Sequence, residues 1–316
     1  MKKENARKKI AVLGVSGYVG QHLLKRFEPA QNSTVVGVDI NVPLYAPPWL
    51  KFYQLDVRQP FLRDILAREN IDTVVHLAFV LGGMDDTRLM HDINVNGTKN
   101  VLASAAAAGL QRVVLVTSTA VYGANNDNPP MLTEDTPLMG HPGFPYLRNQ
   151  LAIEELAEKF RTDNEKPIIT TLRPCVVYGR RTRSFLIDFL RKSPILPMPG
   201  GANPKLQFIH VEDLARAIFL ATEKGRPGAY NIVSTDTISF LQVADILGKK
   251  VIYAPTVFAY TALEVLQYLG LGANMPPYML DFISRNWVAD GSKAEEHLGF
   301  KARYSSTDAL KSMLRN

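Results

Sequence analysis

The stretch Gly14-Val-Ser-Gly17-Tyr-Val-Gly20 decides how this 316-residue chain is read. It follows the apolar run Ile10–Leu13 and opens into a helix-like segment, Val19–Phe27. Each glycine there has a physical purpose. The first makes a tight turn, the second lets a pyrophosphate approach the backbone, and the third lets helix and sheet pack closely. The pyrophosphate then accepts hydrogen bonds from the helix N-terminus, next to Tyr18 and Val19. Asp39 closes the second apolar run, Val35–Val38, nineteen residues after Gly20. That is near the ~20 residues at which a carboxylate meets an adenosine ribose.

A carboxylate at that place accepts hydrogen bonds from both ribose hydroxyls and repels a 2′-phosphate. Ile40 and Asn41 follow it rather than an arginine, so NAD is expected over NADP. Asp56, after the third strand, is placed with Val57 to meet the adenine edge. A strand-end cap remains the alternative for Asp39, and a purely structural role for Asp56.

Outward from the motif, strand-like and helix-like segments alternate. Thr73–Leu77, Val113–Thr117 and Ile168–Leu172 read as further buried parallel strands, and Leu62–Arg68, Asp92–Ala108 and Tyr146–Phe160 as helices. Such alternation predicts an α/β fold of Rossmann type, a doubly wound parallel sheet with a smaller C-terminal substrate-binding domain. Residues 1–174 are expected to form the NAD-binding part. A strand at Leu206–Ile209, a helix at Glu212–Lys224 and a strand at Tyr230–Ile232 are expected to rejoin the sheet. Residues 175–205 and 233–316 are then the substrate-binding cap.

Composition narrows the function classes. Hydrophobic residues make up 46% and charged residues 21%, the balance of a globular chain, which excludes disordered and collagen-like classes. The longest uncharged stretch, Val265–Leu280, contains Pro276 and Pro277 and falls short of the ~18 apolar residues a spanning helix needs. The start MKKENARKKI has no apolar stretch ahead of its charges. Cys175 stands alone, so no internal disulfide can form. These features point to a cytoplasmic protein without a membrane partner.

The net charge of +6 is concentrated in the tail (Lys2, Lys3, Arg7, Lys8, Lys9) and in a loop (Arg180, Arg181, Arg183). Neither cluster is interleaved with aromatic residues as a strand-binding groove would be, so no nucleic-acid partner is expected. The loop arginines are read as a solvated loop, with an anionic-ligand site as the lesser alternative. Six histidines (His22, His76, His91, His141, His210, His297) are dispersed without ligand spacing, so no metal is expected. His76 is placed near the cofactor by its position at a strand end.

Further segments carry a specific resemblance. They are His76-Leu77-Ala78, Asn94-Val-Asn-Gly97-Thr98, Ser118-Thr-Ala-Val-Tyr-Gly123, Tyr146 opening a helix, Leu172-Arg-Pro174 with Val177-Tyr-Gly179, Phe208-Ile-His-Val-Glu-Asp213, Tyr230-Asn-Ile232 and Asp290-Gly-Ser-Lys-Ala294. In this order, from about Ile10 to Leu314, the chain resembles the extended short-chain dehydrogenase/reductases of the NAD-dependent epimerase/dehydratase superfamily. The resemblance implies hydride transfer between a substrate carbon and nicotinamide. It implies Tyr146 as acid/base and Ser118 as the hydroxyl holding the substrate oxygen. It further implies Leu77, Ala78 and Asn94 beside the cofactor, and Phe79, Thr119 and Val176 beside the substrate. Ser118 can also be read as a strand-end hydroxyl bonding backbone, Tyr146 as a helix-start aromatic, and Asn94 as a helix cap.

Three positions depart from the family pattern. The family reads Tyr-x-x-x-Lys, whereas this chain reads Tyr146-Leu-Arg-Asn-Gln150. Four residues along a helix share a face, so Gln150 takes the lysine's place and Arg148 points elsewhere. An amide can bond the nicotinamide ribose but cannot lower the tyrosine pKa. A cation about 6 Å away at an effective dielectric of about 20 is worth roughly 3 kcal/mol, about 2 pKa units. Val176 and Leu206 stand where sugar-nucleotide members carry an asparagine and an arginine for the diphosphate region. Losing a charge-assisted phosphate contact forfeits ~1.5–3 kcal/mol.

The apolar residues Phe258, Tyr260, Leu263, Leu266, Tyr268, Leu269, Tyr278, Met279 and Phe282, and the loop Phe79-Val-Leu-Gly-Gly83, tilt the expected substrate toward an apolar alcohol or ketone. The first group is read as core of the cap before substrate wall. A nucleotide-sugar 4-epimerase or dehydratase is the alternative, and an NAD-binding protein with weak turnover, because of Gln150, is the second. Ala103 and Ala105–Ala108 suit close approach of a partner helix, so a homodimer is expected.

Overall fold

The computed structural model describes residues 8–27, 33–81, 84, 86–179, 182, 185–268 and 277–312. From Lys8 to Pro174 the chain forms β1 (Lys8–Leu13), α1 (Tyr18–Phe27), β2 (Ser33–Asp39), β3 (Leu50–Gln54), α2 (Leu62–Arg68), β4 (Thr73–His76), α3 (Thr87–His91), α4 (Gly97–Ala107), β5 (Arg112–Val116), α5 (Pro145–Asp163) and β6 (Ile168–Pro174). There follow β7 (Val176–Tyr178), α6 (Phe185–Lys192), β8 (Ile195–Pro199), β9 (Lys205–Leu206), β10 (Phe208–His210), α7 (Val211–Lys224), β11 (Gly228–Ile232), β12 (Ile238–Ser239), α8 (Phe240–Ile246), β13 (Lys250–Ala254), α9 (Thr256–Tyr268), α10 (Met279–Ser284), α11 (Ser292–Leu298) and α12 (Ser306–Lys311).

Seven strands pair in parallel in the order β3-β2-β1-β4-β5-β6-β11. Alternate side chains of β1 serve two cores, as the period of two requires. Ile10 and Val12 join Leu23, Leu24, Leu214 and Ile218 of α1 and α7. Ala11 and Leu13 join Leu62, Ile65, Leu66, Val101 and Leu102 of α2 and α4. Both faces of the sheet are therefore covered, as its continuously apolar strands demand. The strand order reverses between β1 and β4, and in such sheets the ligand crevice lies at the carboxyl ends of the strands there.

Two elements differ from expectation. The helix expected over Asp92–Ala108 is interrupted: α3 runs into a π-helical turn, Asp92–Asn96, before α4 begins. Asn94 is fully buried in that turn, and its amide bonds both the N–H and the C=O of Val80 at 2.8 and 2.9 Å. Its role is thus to hold the loop after β4, and it caps no helix. The strand expected over Leu206–Ile209 is broken at Gln207. This buried amide clamps the backbone of Ala289, accepting from its N–H (2.8 Å) and donating to its C=O (3.1 Å). Consequently β9 pairs with β12 and β10 with β7, and only β11 of the later segment joins the large sheet.

Candidate active site

The glycine loop stands where β1 ends, in backbone that side chains would obstruct. Gly14 has φ +85°, and a Cβ there would lie 2.6 Å from the Ala78 nitrogen. A Cβ on Gly20 would lie 2.5 Å from the Gly14 oxygen, whereas one on Gly17 would meet only that oxygen, at 3.2 Å. The loop is tight toward the protein and open in front of Gly17. Two cavities flank it, of about 480 and about 220 Å3, and both are lined by Gly14, Gly17, Leu77 and Phe79.

The larger cavity is walled by Asp39, Asp56, Val57, Ala78 and Ile93. Asp39 is half-buried at the end of β2, its carboxylate accepting from the N–H of Ser16 (3.0 Å) and of Asn41 (2.9 Å). Asp56 is held by a residue the sequence reading overlooked. Arg58 reaches both its oxygens, at 2.6 to 3.1 Å, adds a backbone N–H at 2.9 Å, and bonds Asp92 at 2.7 Å with its other nitrogen. This guanidinium holds the Asp56 carboxyl below its ordinary range. The Asp-x-Arg spacing was the signal that could have found it.

The smaller cavity is bounded by Val19, Val116, Cys175, Val176, Val177, Leu186, Leu214 and Trp287, with Tyr18, Thr117, Ser118, Tyr146 and Thr182 as hydroxyl-bearing side chains. Ser118 begins the 3-10 turn Thr119–Tyr122, where its oxygen accepts from the Ala120 N–H at 3.1 Å. The backbone-bonding role foreseen for this hydroxyl is thus present, while the side chain still reaches the cavity. Thr119 lies buried and is absent from the lining. The Thr182 hydroxyl is buried without a hydrogen-bond partner. Phe79 stands at the junction of the two cavities with its ring 4.3 Å from that of His76. His76 is wholly buried against Thr98, and burial lowers it to about 3.

Tyr146 opens the first turn of α5 behind Pro145, and burial raises its phenol well above the ordinary value. Phe144 packs against it at 5.7 Å and stacks on Tyr278 at 4.5 Å, linking it to the start of α10. Gln150 is buried on the same helix, and its carbonyl oxygen has no partner. Arg148 lies exposed and donates to the Pro142 carbonyl at 2.7 Å. Behind Thr117 runs a buried polar chain. Its hydroxyl donates to Glu154 (2.7 Å), Arg173 holds Glu154 with two nitrogens (2.9 and 3.0 Å), Arg173 reaches Tyr122 (2.8 Å), and Tyr122 donates to Asn231 (2.8 Å).

Other expected residues fall elsewhere. Leu206 is buried opposite Ile238. Phe258 and Tyr268, offered by the sequence as core or substrate wall, are neither, being 72% and 90% exposed on α9. Gly82, Gly83, Arg180, Arg181, Arg183, Leu269, the tail residues Lys2, Lys3 and Arg7, and the Leu266 side chain lie outside the described residues. Among the described residues no group of three His, Cys, Asp or Glu side chains could hold a metal, and no helix is long and apolar enough to cross a membrane.

A profile of the NAD-dependent epimerase/dehydratase family matches residues 10–233, from β1 to just past β11. The chain belongs to the NAD-dependent epimerase/dehydratase family. Its match to an uncharacterized protein of Sinorhizobium fredii is 30% identical over 95% of this chain and 76% of the other. The human sterol-4-alpha-carboxylate 3-dehydrogenase, decarboxylating, is 28% identical over 70% of this chain and 59% of its own. Among solved structures, MoeE5 in complex with UDP-glucuronic acid and NAD shares 25% identity at a TM-score of 0.74, covering 97% of each chain. NAD is the family's cofactor. The residues present fit it, since the glycines Gly14 and Gly17 of the cradle open onto a cavity on either side, with Asp39 in the wall of the larger.

Proposed function

We propose that this protein is an NAD-dependent oxidoreductase or epimerase acting on a secondary alcohol or ketone of a small, apolar-bodied substrate. The carrying observation is the smaller cavity, whose wall is Val116, Val176, Val177, Leu186, Leu214 and Trp287, with Ser118 and Tyr146 among its few hydroxyls. NAD, when bound, accepts a hydride from the substrate carbon or returns one. The cradle Gly14, Gly17 and Gly20 with Tyr18 and Val19 would hold its pyrophosphate, and Asp39 its adenosine ribose. Asp56 with Arg58, together with Val57, Leu77 and Ala78, would flank the adenine side. Gln150 can bond the nicotinamide ribose, and Asn94 acts by fixing Val80 beside Phe79.

Ser118 donates its free hydroxyl proton to the substrate oxygen, the Ala120 N–H having fixed the side chain. Tyr146 gives its proton to that oxygen on reduction and takes one on oxidation. Reduction suits the chain as it stands, because burial keeps the phenol protonated. Phe79 and Val176 supply apolar contact to the substrate, and residues 175–205 and 233–316 act as the cap through Val176, Leu186 and Trp287.

A second reading is favoured by MoeE5, whose complex contains UDP-glucuronic acid. In it the substrate is a nucleotide sugar, and the reaction a 4-epimerisation or dehydration. Thermal unfolding with NAD, then with NAD plus UDP, separates the two. A ligand at ~100 times its dissociation constant adds about 2.7 kcal/mol. Stabilisation by NAD with nothing added by UDP supports the apolar substrate, and a further rise with UDP supports the nucleotide sugar. No response to NAD would overturn both.

The same proposal includes a homodimer through α4 and α5. Of the alanines expected to meet a partner helix, Ala103 and Ala107 are exposed on α4 and Ala106 and Ala108 half-buried, whereas Ala105 is buried in the protein's own core; a partner helix could approach over the first four. A monomer at micromolar concentration in sedimentation equilibrium would remove it.

A further inference from the structure

Three consecutive residues of the π-helical turn Asp92–Asn96 reach three different parts of the site. Asp92 accepts from Nη1 of Arg58 at 2.7 Å, and its other oxygen accepts from the Asn96 amide at 2.8 Å. Ile93 lines the larger cavity. Asn94 clamps Val80, the neighbour of Phe79, and Phe79 lines both cavities. Directly before the turn, His91 donates from Nδ1 to the carbonyl oxygen of Asn149 at 2.9 Å. Asn149 is buried on α5 between Tyr146 and Gln150. Successive helical positions point about 100° apart, so one turn faces several neighbours at once. Turns of the π type are rare and found mostly at functional sites.

Asp92 itself lines neither cavity, but what it holds does. Arg58 walls the larger cavity and grips Asp56 there through Nε and Nη2, which leaves Nη1 for Asp92. This row of carboxylate, guanidinium and carboxylate is partly exposed, so it adds little to overall stability. Its consequence is geometric. It ties the wall of the larger cavity to a turn whose other bonds run to the loop at Phe79 and to the helix of Tyr146 and Gln150.

We propose that Asp92 is a positioning residue, through which adenosine bound in the larger cavity orders the helix carrying Tyr146 and Gln150. Adenosine seated against Arg58 and Ile93 removes freedom from the turn, and the His91–Asn149 bond passes that constraint to α5. A group entering a site already ordered gives up less conformational entropy. The two halves of a dinucleotide then bind cooperatively, without any displacement of the backbone. All of this rests on the larger cavity receiving the adenosine half, as proposed above.

The test adds adenosine monophosphate to the full chain and follows amide hydrogen exchange in the first turns of α5, beside a thermal unfolding scan. No residue of α5 lines the larger cavity, so slower exchange there does not come from direct contact. The nucleotide is expected to raise the melting temperature and to slow exchange in α5 about fivefold, the low end of coupling between two sites. Asp92→Ala should keep the thermal shift, because Asp56 retains Nε and Nη2 of Arg58, and Asn100 still holds the carbonyls of Val57 and Gln59. It should lose the slowing in α5. A merely structural role would speed exchange equally with and without the nucleotide and leave their ratio unchanged. His91→Ala cuts the far end of the same path and serves if Asp92→Ala does not fold. A thermal shift with no slowing in wild-type α5 overturns the proposal, as does slowing that the variant retains. Absence of any thermal shift means that the larger cavity does not take adenosine, which removes that assignment and this proposal together.

Discussion

Tyr146 and Gln150 lie one turn apart on the buried face of α5, and the Gln150 carbonyl oxygen has no hydrogen-bond partner. Burial raises the Tyr146 phenol, and the neutral amide beside it supplies no opposing charge. The pair is therefore poised with the proton on.

Gln150→Lys should lower the tyrosine pKa and raise the rate of substrate oxidation at neutral pH, by up to ~100-fold if the full ~2 units are recovered. The measurement is the pH profile of NAD reduction, whose rising limb should move to lower pH. An unmoved profile, or lost activity in a folded variant, would show that the oxidation does not pass through a tyrosinate.

Tyr146→Phe should cost at least ~100-fold in turnover, the usual scale for a positioned acid or base. Ser118→Ala should cost less while raising KM for the substrate. In both, the NAD-induced thermal shift should persist, since the cradle is untouched. Intact turnover in Tyr146→Phe would end the mechanism proposed here.

Gly14→Ala forces a side chain into φ +85° with its Cβ 2.6 Å from the Ala78 nitrogen. Strain alone costs ~1–3 kcal/mol, and the displaced loop should no longer respond to NAD. Gly109 is the comparison, because its φ is +70° but nothing lies within 4 Å of an added Cβ. Gly109→Ala should lower the melting temperature and keep the NAD shift. Equal behaviour of the two would mean that the loop yields without consequence for the cofactor.

Burial holds His76 at about 3 in the folded chain, while an unfolded chain titrates it near ~6.5. Its contribution to stability is complete above the upper value. As the pH falls between them the unfolded state takes up a proton that the folded state refuses, so stability declines by up to ~1.4 kcal/mol per pH unit from this residue. His76→Asn should flatten the plot of unfolding free energy against pH from about 6 to about 4. Equal slopes in variant and wild type would mean that the folded protein protonates His76.

Much of the fold was legible because its signals are local. The Gly14–Gly20 turn lies between a run of apolar residues and a helical one, and β1, β2, β4, β5 and β6 each stand as short apolar runs. The Asn94 turn was not legible, because its cause is the Val80 backbone, fourteen residues away in sequence. The break at Gln207 depends on Ala289, still farther along the chain. At the site, the resemblance to the family pointed to Ser118 and Tyr146, which both line the smaller cavity, and helical spacing put Gln150 on the face of Tyr146, though it lines neither cavity. Trp287 and Thr182 reach the smaller cavity only once distant segments fold together. The exposed face of α9 was misjudged for a related reason, since apolar composition does not say which neighbours will be present to cover it.

β11 closes one edge of the large sheet, although it comes from the later part of the chain, and Asn231 within it completes the Glu154–Arg173–Tyr122 chain. During synthesis, residues 8–174 emerge first and can assemble six strands, leaving β6 with an open edge. That edge is a template for pairing with another nascent copy, and it remains open until Ile232 has left the ribosome. During that interval the sheet has an open strand at each edge, β3 and β6, where the finished fold leaves β3 and β11. A fragment ending at Pro174 would carry that hazard permanently.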